Sequence, residues 1–269
     1  MPAGDSVARS AQRFRSRRLC AHHRGHARTD ASAGARAGGT LVKSPELIIF
    51  DVDGVLVDVR ESFDRTILAV VRQCTGRRVA RGEIQRWRSR SGFNDDWALS
   101  YVWIRQLGGR VRFADVKRLC NGLYWGRNGD GFVCRERWLL PRAVLRRLAR
   151  RAELAIFTGR TRRELRCALQ RFGVEEFFAC TVTQDDVRRR KPDPEGLRRI
   201  LRGRRPDAAL YLGDNVDDAL AARAAGVPFL GVLPRNSVAR RLRGAKLRRL
   251  GALALLGHVA ELESWLDRE

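Results

Sequence analysis

Leu47-Ile48-Ile49-Phe50-Asp51-Val52-Asp53-Gly54-Val55-Leu56-Val57-Asp58 is the stretch that decides how this chain is read. Four apolar residues run into two carboxylates two positions apart, and a glycine follows at once. A short Ile- and Leu-rich run reads as a strand buried on both faces of a sheet. Residues two apart on a strand point the same way, so Asp51 and Asp53 can face one site at its carboxyl end. Open α/β sheets bind their ligands at that end. By itself the segment also fits an acidic turn, because Asp-Gly is a common turn pair.

Three later segments repeat the pattern. Leu154-Ala155-Ile156-Phe157-Thr158-Gly159-Arg160 is a second apolar strand, ending in a hydroxyl and a glycine. Thr161 and Glu164 have capping-box spacing, so a helix is expected to start there. Strand, tight turn and helix N-terminus together offer N–H groups and a hydroxyl, which suits a phosphate. Arg188-Arg189-Arg190-Lys191-Pro192-Asp193-Pro194 sets a cation beside two prolines. Ala209-Leu210-Tyr211-Leu212-Gly213-Asp214-Asn215-Val216-Asp217-Asp218 is a third strand ending in carboxylates. If a helix starts at Asn215, Asp214 and Asp218 both lie near its first turn.

In that order these four segments resemble the haloacid dehalogenase superfamily, in its helical-cap subfamily IA and with a phosphoglycolate-phosphatase-like character. Asp51 and Asp53 match its first motif, Thr158 its second, Lys191 its third, and Gly213, Asp214 and Asp218 its fourth. About 100 residues separate the first two motifs, where that subfamily inserts its cap. Ser91-Gly92-Phe93-Asn94-Asp95-Asp96-Trp97 and Leu123-Tyr124-Trp125-Gly126 resemble a smaller group of its phosphatases. The expected fold is α/β: a Rossmann-like doubly wound parallel sheet core with an inserted helical cap domain.

The resemblance implies a Mg²⁺-dependent phosphatase acting on a small phosphate monoester, with phosphoglycolate as the default. Asp51 would attack phosphorus and form an aspartyl-phosphate, which splits one hard displacement into two easier ones. Asp53 would protonate the leaving oxygen and then deprotonate the attacking water. Clustered carboxylates with no nearby His or Cys favour a hard cation such as Mg²⁺. Its expected ligands are Asp51, Asp214, Asp53 through its backbone carbonyl, and Asp218 directly or one step removed. Lys191, Thr158 and Gly159 would hold the transferring phosphoryl group. Arg160, Asn94 and Asp95 are candidate substrate contacts, with Arg88 and Arg90 close by. Superfamily members that break carbon–halogen bonds lack the second acid, because a halide leaves without a proton. A sugar-phosphate or histidinol-phosphate phosphatase, or a phosphomutase, fits the same residues.

Composition bounds the rest. A length of 269 residues with 44% apolar content fits one core plus a small insertion. Six cysteines without a C-x-x-C pair fit a reducing cytoplasm better than a disulfide frame or zinc module. No apolar run approaches a membrane-spanning length, so no membrane association is expected. Residues 1–44 carry nine Lys or Arg against Asp5 and Asp30 and show no hydrophobic period, so they read as a disordered basic tail. No apolar run there resembles a secretory signal. Residues 45–60 and 140–269 are expected to form the core, and 61–139 the cap.

Within the cap, helical periodicity predicts helices near 60–74, 82–90, 96–107 and 112–127. Five of the six tryptophans, at 87, 97, 103, 125 and 138, fall in or just after this region and read as its packing. Later strands are expected at 154–157, 179–183, 208–212 and 228–233. The net charge of +24 attracts anionic small molecules, and nucleic acid non-specifically. A nucleic-acid-associated basic protein is therefore the alternative of another class. The basic runs at 186–191, 198–205 and 239–249 read mostly as exposed helix faces and turns. The partner expected is a small phosphorylated metabolite; oligomeric state is left open.

Overall fold

The computed structural model describes residues 44–93 and 95–268. The basic tail and Asn94 therefore lie outside the described residues, apart from Ser44 at the tail's end. Six parallel strands form one sheet: β1 (Leu47–Phe50), β4 (Glu153–Phe157), β5 (Cys180–Val182), β6 (Ala209–Gly213), β7 (Phe229–Val232) and β8 (Ala252–Leu256). Their order is β5-β4-β1-β6-β7-β8, with β1 in the interior. All four β1 residues are buried, each contributing about 1.5–3 kcal/mol of apolar transfer.

Strand alternation divides the core in two. Ile48, Phe50, Leu154, Ile156, Leu210 and Leu212 face one side. There they meet Leu145 and Leu148 of α5 (Arg142–Arg151), Leu165 and Leu169 of α6 (Arg162–Phe172), and Leu262 and Trp265 of α10 (Glu261–Leu266). Leu47, Ile49, Ala155, Phe157, Ala209 and Tyr211 face the other side. Their partners come from α7 (Glu195–Leu201), α8 (Val216–Ala225) and α9 (Val238–Arg249). Helices on both faces of a parallel sheet are what the period-two burial demands.

Winding direction and register place the site. From β1 the chain works outward through β4 to β5, then crosses back to β6 on the far side of β1. Such a reversal opens a crevice at the carboxyl ends of the strands flanking it. Phe50 pairs with Ile156 on one side and Leu212 on the other. Asp51, Phe157 and Gly213 are consequently level, and the next residues, Thr158 and Asp214, follow at the same edge.

Between β1 and β4 the chain leaves the core through β2 (Val57–Asp58) and returns through β3 (Arg137–Trp138), two short antiparallel strands. In between stand α1 (Phe63–Thr75), α2 (Arg81–Arg88), α3 (Asp96–Gln106) and α4 (Phe113–Trp125), each within a few residues of its sequence expectation. Ile67, Val70, Val71, Ile84, Leu99, Trp103, Ile104, Val116 and Cys120 give these helices a core of their own. Trp87, Trp97 and Trp103 pack in it, Trp97 also lining the chamber below, whereas Trp125 and Trp138, expected there from sequence, pack against the sheet's core because they sit where the chain returns to it. Two sequence expectations need correction. Strand β8, the apolar run Ala252 to Leu256 between Gly251 and Gly257, was not read as a strand; it forms the half-exposed edge of the sheet. Arg243, within the basic run assigned to exposed surface, is only 2% exposed.

Candidate active site

The turn after β1 carries Asp51 and Asp53. Gly54 makes this turn workable: its φ is +79°, and a Cβ there would sit 2.7 Å from the Asp214 Oδ2 atom. Val57 N–H donates to Val52 O at 2.8 Å, closing the loop beneath both acids. Gly213 is constrained in the same way, since a Cβ would lie 2.5 Å from the Asp218 Cβ.

Lys191 joins the segments electrostatically. Its Nζ donates to Asp51 Oδ1 at 2.8 Å, to Asp218 Oδ1 at 2.8 Å and to Phe157 O at 2.9 Å, using all three ammonium hydrogens. Burial opposes its charge, but Asp218 and Asp51 more than compensate and keep its pKa above the ordinary lysine value. Asp218 is held from several sides. Tyr211 O–H donates to its Oδ1 at 2.7 Å, and Asn215 N–H to its Oδ2 at 3.0 Å, the latter as part of the capping box that starts α8.

Asp51, Asp214 and Asp218 each offer a carboxylate oxygen within 4.8 Å of the others. Burial drives the Asp51 carboxyl well upward; Lys191 opposes this, and repulsion from Asp218, Asp53 and Asp214 adds to it. Asp214 is raised as well, chiefly by burial, against the pull of Arg243. Lys191 on Asp51 and Asp218 and Arg243 on Asp214 leave these three carboxylates with one negative charge unbalanced. An all-oxygen donor set with this excess of negative charge fits a hard divalent cation. Asp51 and Asp214 are the better placed to receive it, because Asp218 already accepts three hydrogen bonds.

Thr158 and Arg160 follow β4. The Thr158 hydroxyl oxygen accepts from the Arg160 N–H at 3.1 Å, leaving its own hydrogen to donate. The buried Arg160 guanidinium donates through Nε to Asp53 Oδ1 at 2.8 Å and through Nη1 and Nη2 to both oxygens of Glu136, at 3.0 and 2.9 Å. Its donors are thus committed to protein carboxylates. Gly159 and Asp95 line the chamber; Asp95 also caps α3 and pairs with Arg190 at 3.0 Å. Arg88 bridges Asp64 and Asp96. Sequence reading missed Glu136 and Arg243. Neither sits in a recognisable pattern: Glu136 is one acid among arginines, and Arg243 one basic residue in a run of them.

A family model for haloacid dehalogenase-like hydrolases matches residues 45–226, which span the site segments from Asp51 to Asp218 but not Arg243. The chain belongs to that family. This haloacid dehalogenase-like hydrolase is 28% identical over 227 residues to "Imidazoleglycerol-phosphate dehydratase" of Phytophthora nicotianae, an alignment covering 78% of this chain and 50% of the relative. It is 27% identical over 206 residues to "Phosphoglycolate phosphatase" of Pseudomonas putida, covering 72% and 70% respectively. The chain thus spans only half the length of the first of these relatives. Its fold is like that of a solved protein from Haemophilus somnus described as "a predicted phosphoglycolate phosphatase". The TM-score is 0.66 at 21% identity, over 85% of this chain and 99% of that one. Among the described residues no helix is long and apolar enough to cross a membrane.

Proposed function

We propose that this chain hydrolyses phosphate monoesters through an aspartyl-phosphate on Asp51, with Mg²⁺ as its cofactor and small phosphorylated metabolites as substrates. Phosphoglycolate is the first substrate to try. The observation that supports this most is the Lys191–Asp51 bond beside three carboxylates that converge within 4.8 Å. A nucleophile, a fixed cation and an oxygen-rich cation site in one crevice meet the main difficulty of the reaction, the approach of one anion to another.

Asp51 uses the carboxylate oxygen not bonded to Lys191 to attack phosphorus in line with the leaving oxygen. Thr158 and the Gly159 amide hold the equatorial oxygens of the phosphoryl group, and Lys191 offsets their growing charge. Asp53 donates a proton to the departing alcohol, then takes one from the water that attacks the acyl phosphate at phosphorus. Arg160 positions Asp53 for both transfers. Mg²⁺, held by Asp51, Asp214 and the Asp53 carbonyl, would supply electrostatic stabilisation of the transferring phosphoryl group. Asp218 acts through Lys191, keeping the ammonium in place.

Release of inorganic phosphate from a panel of esters, with Mg²⁺ and with EDTA, tests this reading. Mg²⁺-dependent release from at least one ester is expected. No turnover of any ester, together with tight oligonucleotide binding that weakens steeply with salt, would favour the nucleic-acid alternative instead.

A further inference from the structure

The crevice opens into a chamber of about 970 Å³ between the sheet edge and α1–α4. Drug-sized ligands fill pockets of roughly 300–1,000 Å³, so this chamber stands at the top of that range. A two-carbon acid such as glycolate leaves most of it empty. One wall is a single face of α4: Phe113, Lys117, Asn121 and Trp125 all line the chamber and are spaced four residues apart. That stripe is about 18 Å long at 1.5 Å per residue.

The cations around the chamber fall into two groups. Arg60, Arg81, Arg88, Arg160, Arg190 and Arg243 each hold a protein carboxylate, namely Asp58, Glu61, Asp64 with Asp96, Asp53 with Glu136, Asp95 and Asp214. Lys117 and Arg163 also line it, and neither holds a carboxylate among the described residues. The nearest acid on α4, Asp115, is already bound by Arg112 and Arg118. Arg163, from the first turn of α6, lies over the Trp125 ring at 4.3 Å. Aromatic surface, an amide and two cations that hold no carboxylate thus share the wall that a leaving group would meet.

We propose that α4 and Arg163 form a subsite for a large leaving group that bears a ring and a second anionic group. This rests on the phosphatase reading for the position of the scissile phosphate, but the subsite can be tested by binding alone. The ring lies against Trp125, Asn121 one turn away hydrogen-bonds its polar edge, and Lys117 and Arg163 neutralise the second charge.

The probes are a nucleoside 3′,5′-bisphosphate and the matching 5′-monophosphate, titrated calorimetrically into the Asp51→Asn protein with Mg²⁺. The bisphosphate is expected to bind about tenfold or more tightly, and Lys117→Gln with Arg163→Gln to remove most of that difference. In protein with Asp51 intact, the same pair of changes should lower kcat/KM for the bisphosphate about tenfold relative to phosphoglycolate, mainly through KM. Equal binding of the two nucleotides, or a preference that survives both substitutions, overturns the subsite. Turnover of phosphoglycolate with neither nucleotide bound also overturns it and leaves the hydrolytic reading standing. Nucleotide discrimination without hydrolysis of any ester supports the subsite and sinks the hydrolytic reading.

Discussion

Arg160 and Glu136 form a buried two-bond ion pair, each side chain 1% exposed. The same arginine reaches Asp53, while Tyr124 and Ser62 also donate to Glu136. Glu136 immediately precedes β3, where the chain returns from the helical insertion, so the pair ties that root to the second acid. Breaking a buried pair from one side strands the other charge. Glu136→Gln should therefore lower unfolding free energy by about 3 kcal/mol in urea titrations. A loss below about 1 kcal/mol would show that the pair is not structurally important.

Asp51→Asn should depress turnover by a factor on the order of 10⁴ or more while the protein stays folded. The fold is expected to survive because the substitution removes one carboxylate from a repulsive cluster. Phosphate release and circular dichroism on the same sample check both halves of the prediction.

Asp53→Asn should be selective by leaving group. With an alkyl phosphate the departing oxygen needs a proton, and kcat should fall by about 10²–10⁴. With p-nitrophenyl phosphate the phenolate leaves unaided in the first step, so the loss should be much smaller. Equal losses on both substrates would remove Asp53 from proton transfer.

Lys191→Met leaves Asp51 and Asp218 facing each other without their shared cation. The protein should melt at a lower temperature, and added Mg²⁺ should raise its Tm by more than it raises that of the unsubstituted protein. Identical increments in the two proteins would argue against a cation site at these carboxylates. Asp214→Asn should conversely blunt the Mg²⁺ effect.

How much of this was legible in sequence depended on whether the signal was local. Strands β1, β4 and β6 declared themselves as apolar runs stopped by Asp51, Thr158 and Asp214, and parallel pairing of such runs aligns their ends. The capping residues Thr161 and Asn215 likewise marked helix starts that the structure contains. Glu136 was illegible because its meaning lies in Arg160, Tyr124 and Ser62, which are distant in sequence or on other elements. Arg243 looked like its neighbours, and only the approach of Gln85 from α2 and Asp214 from the sheet edge makes it a buried residue. Strand β8 is an all-apolar run from Ala252 to Leu256, but no carboxylate or hydroxyl follows it as one follows β1, β4 and β6, and its place at the edge comes from pairing with β7. Which cations face the chamber unpaired is a property of packing, so Lys117 and Arg163 could not be singled out beforehand.

The most direct test of the account is to find where phosphate goes during turnover. Protein in excess over a ³²P-labelled ester would be acid-quenched within the first turnover, digested and mapped, with borohydride reduction of a parallel sample. The account predicts label on the peptide carrying Asp51, and conversion of that residue to homoserine. Label on another residue, or phosphate release with no covalent label at any quench time, would contradict it.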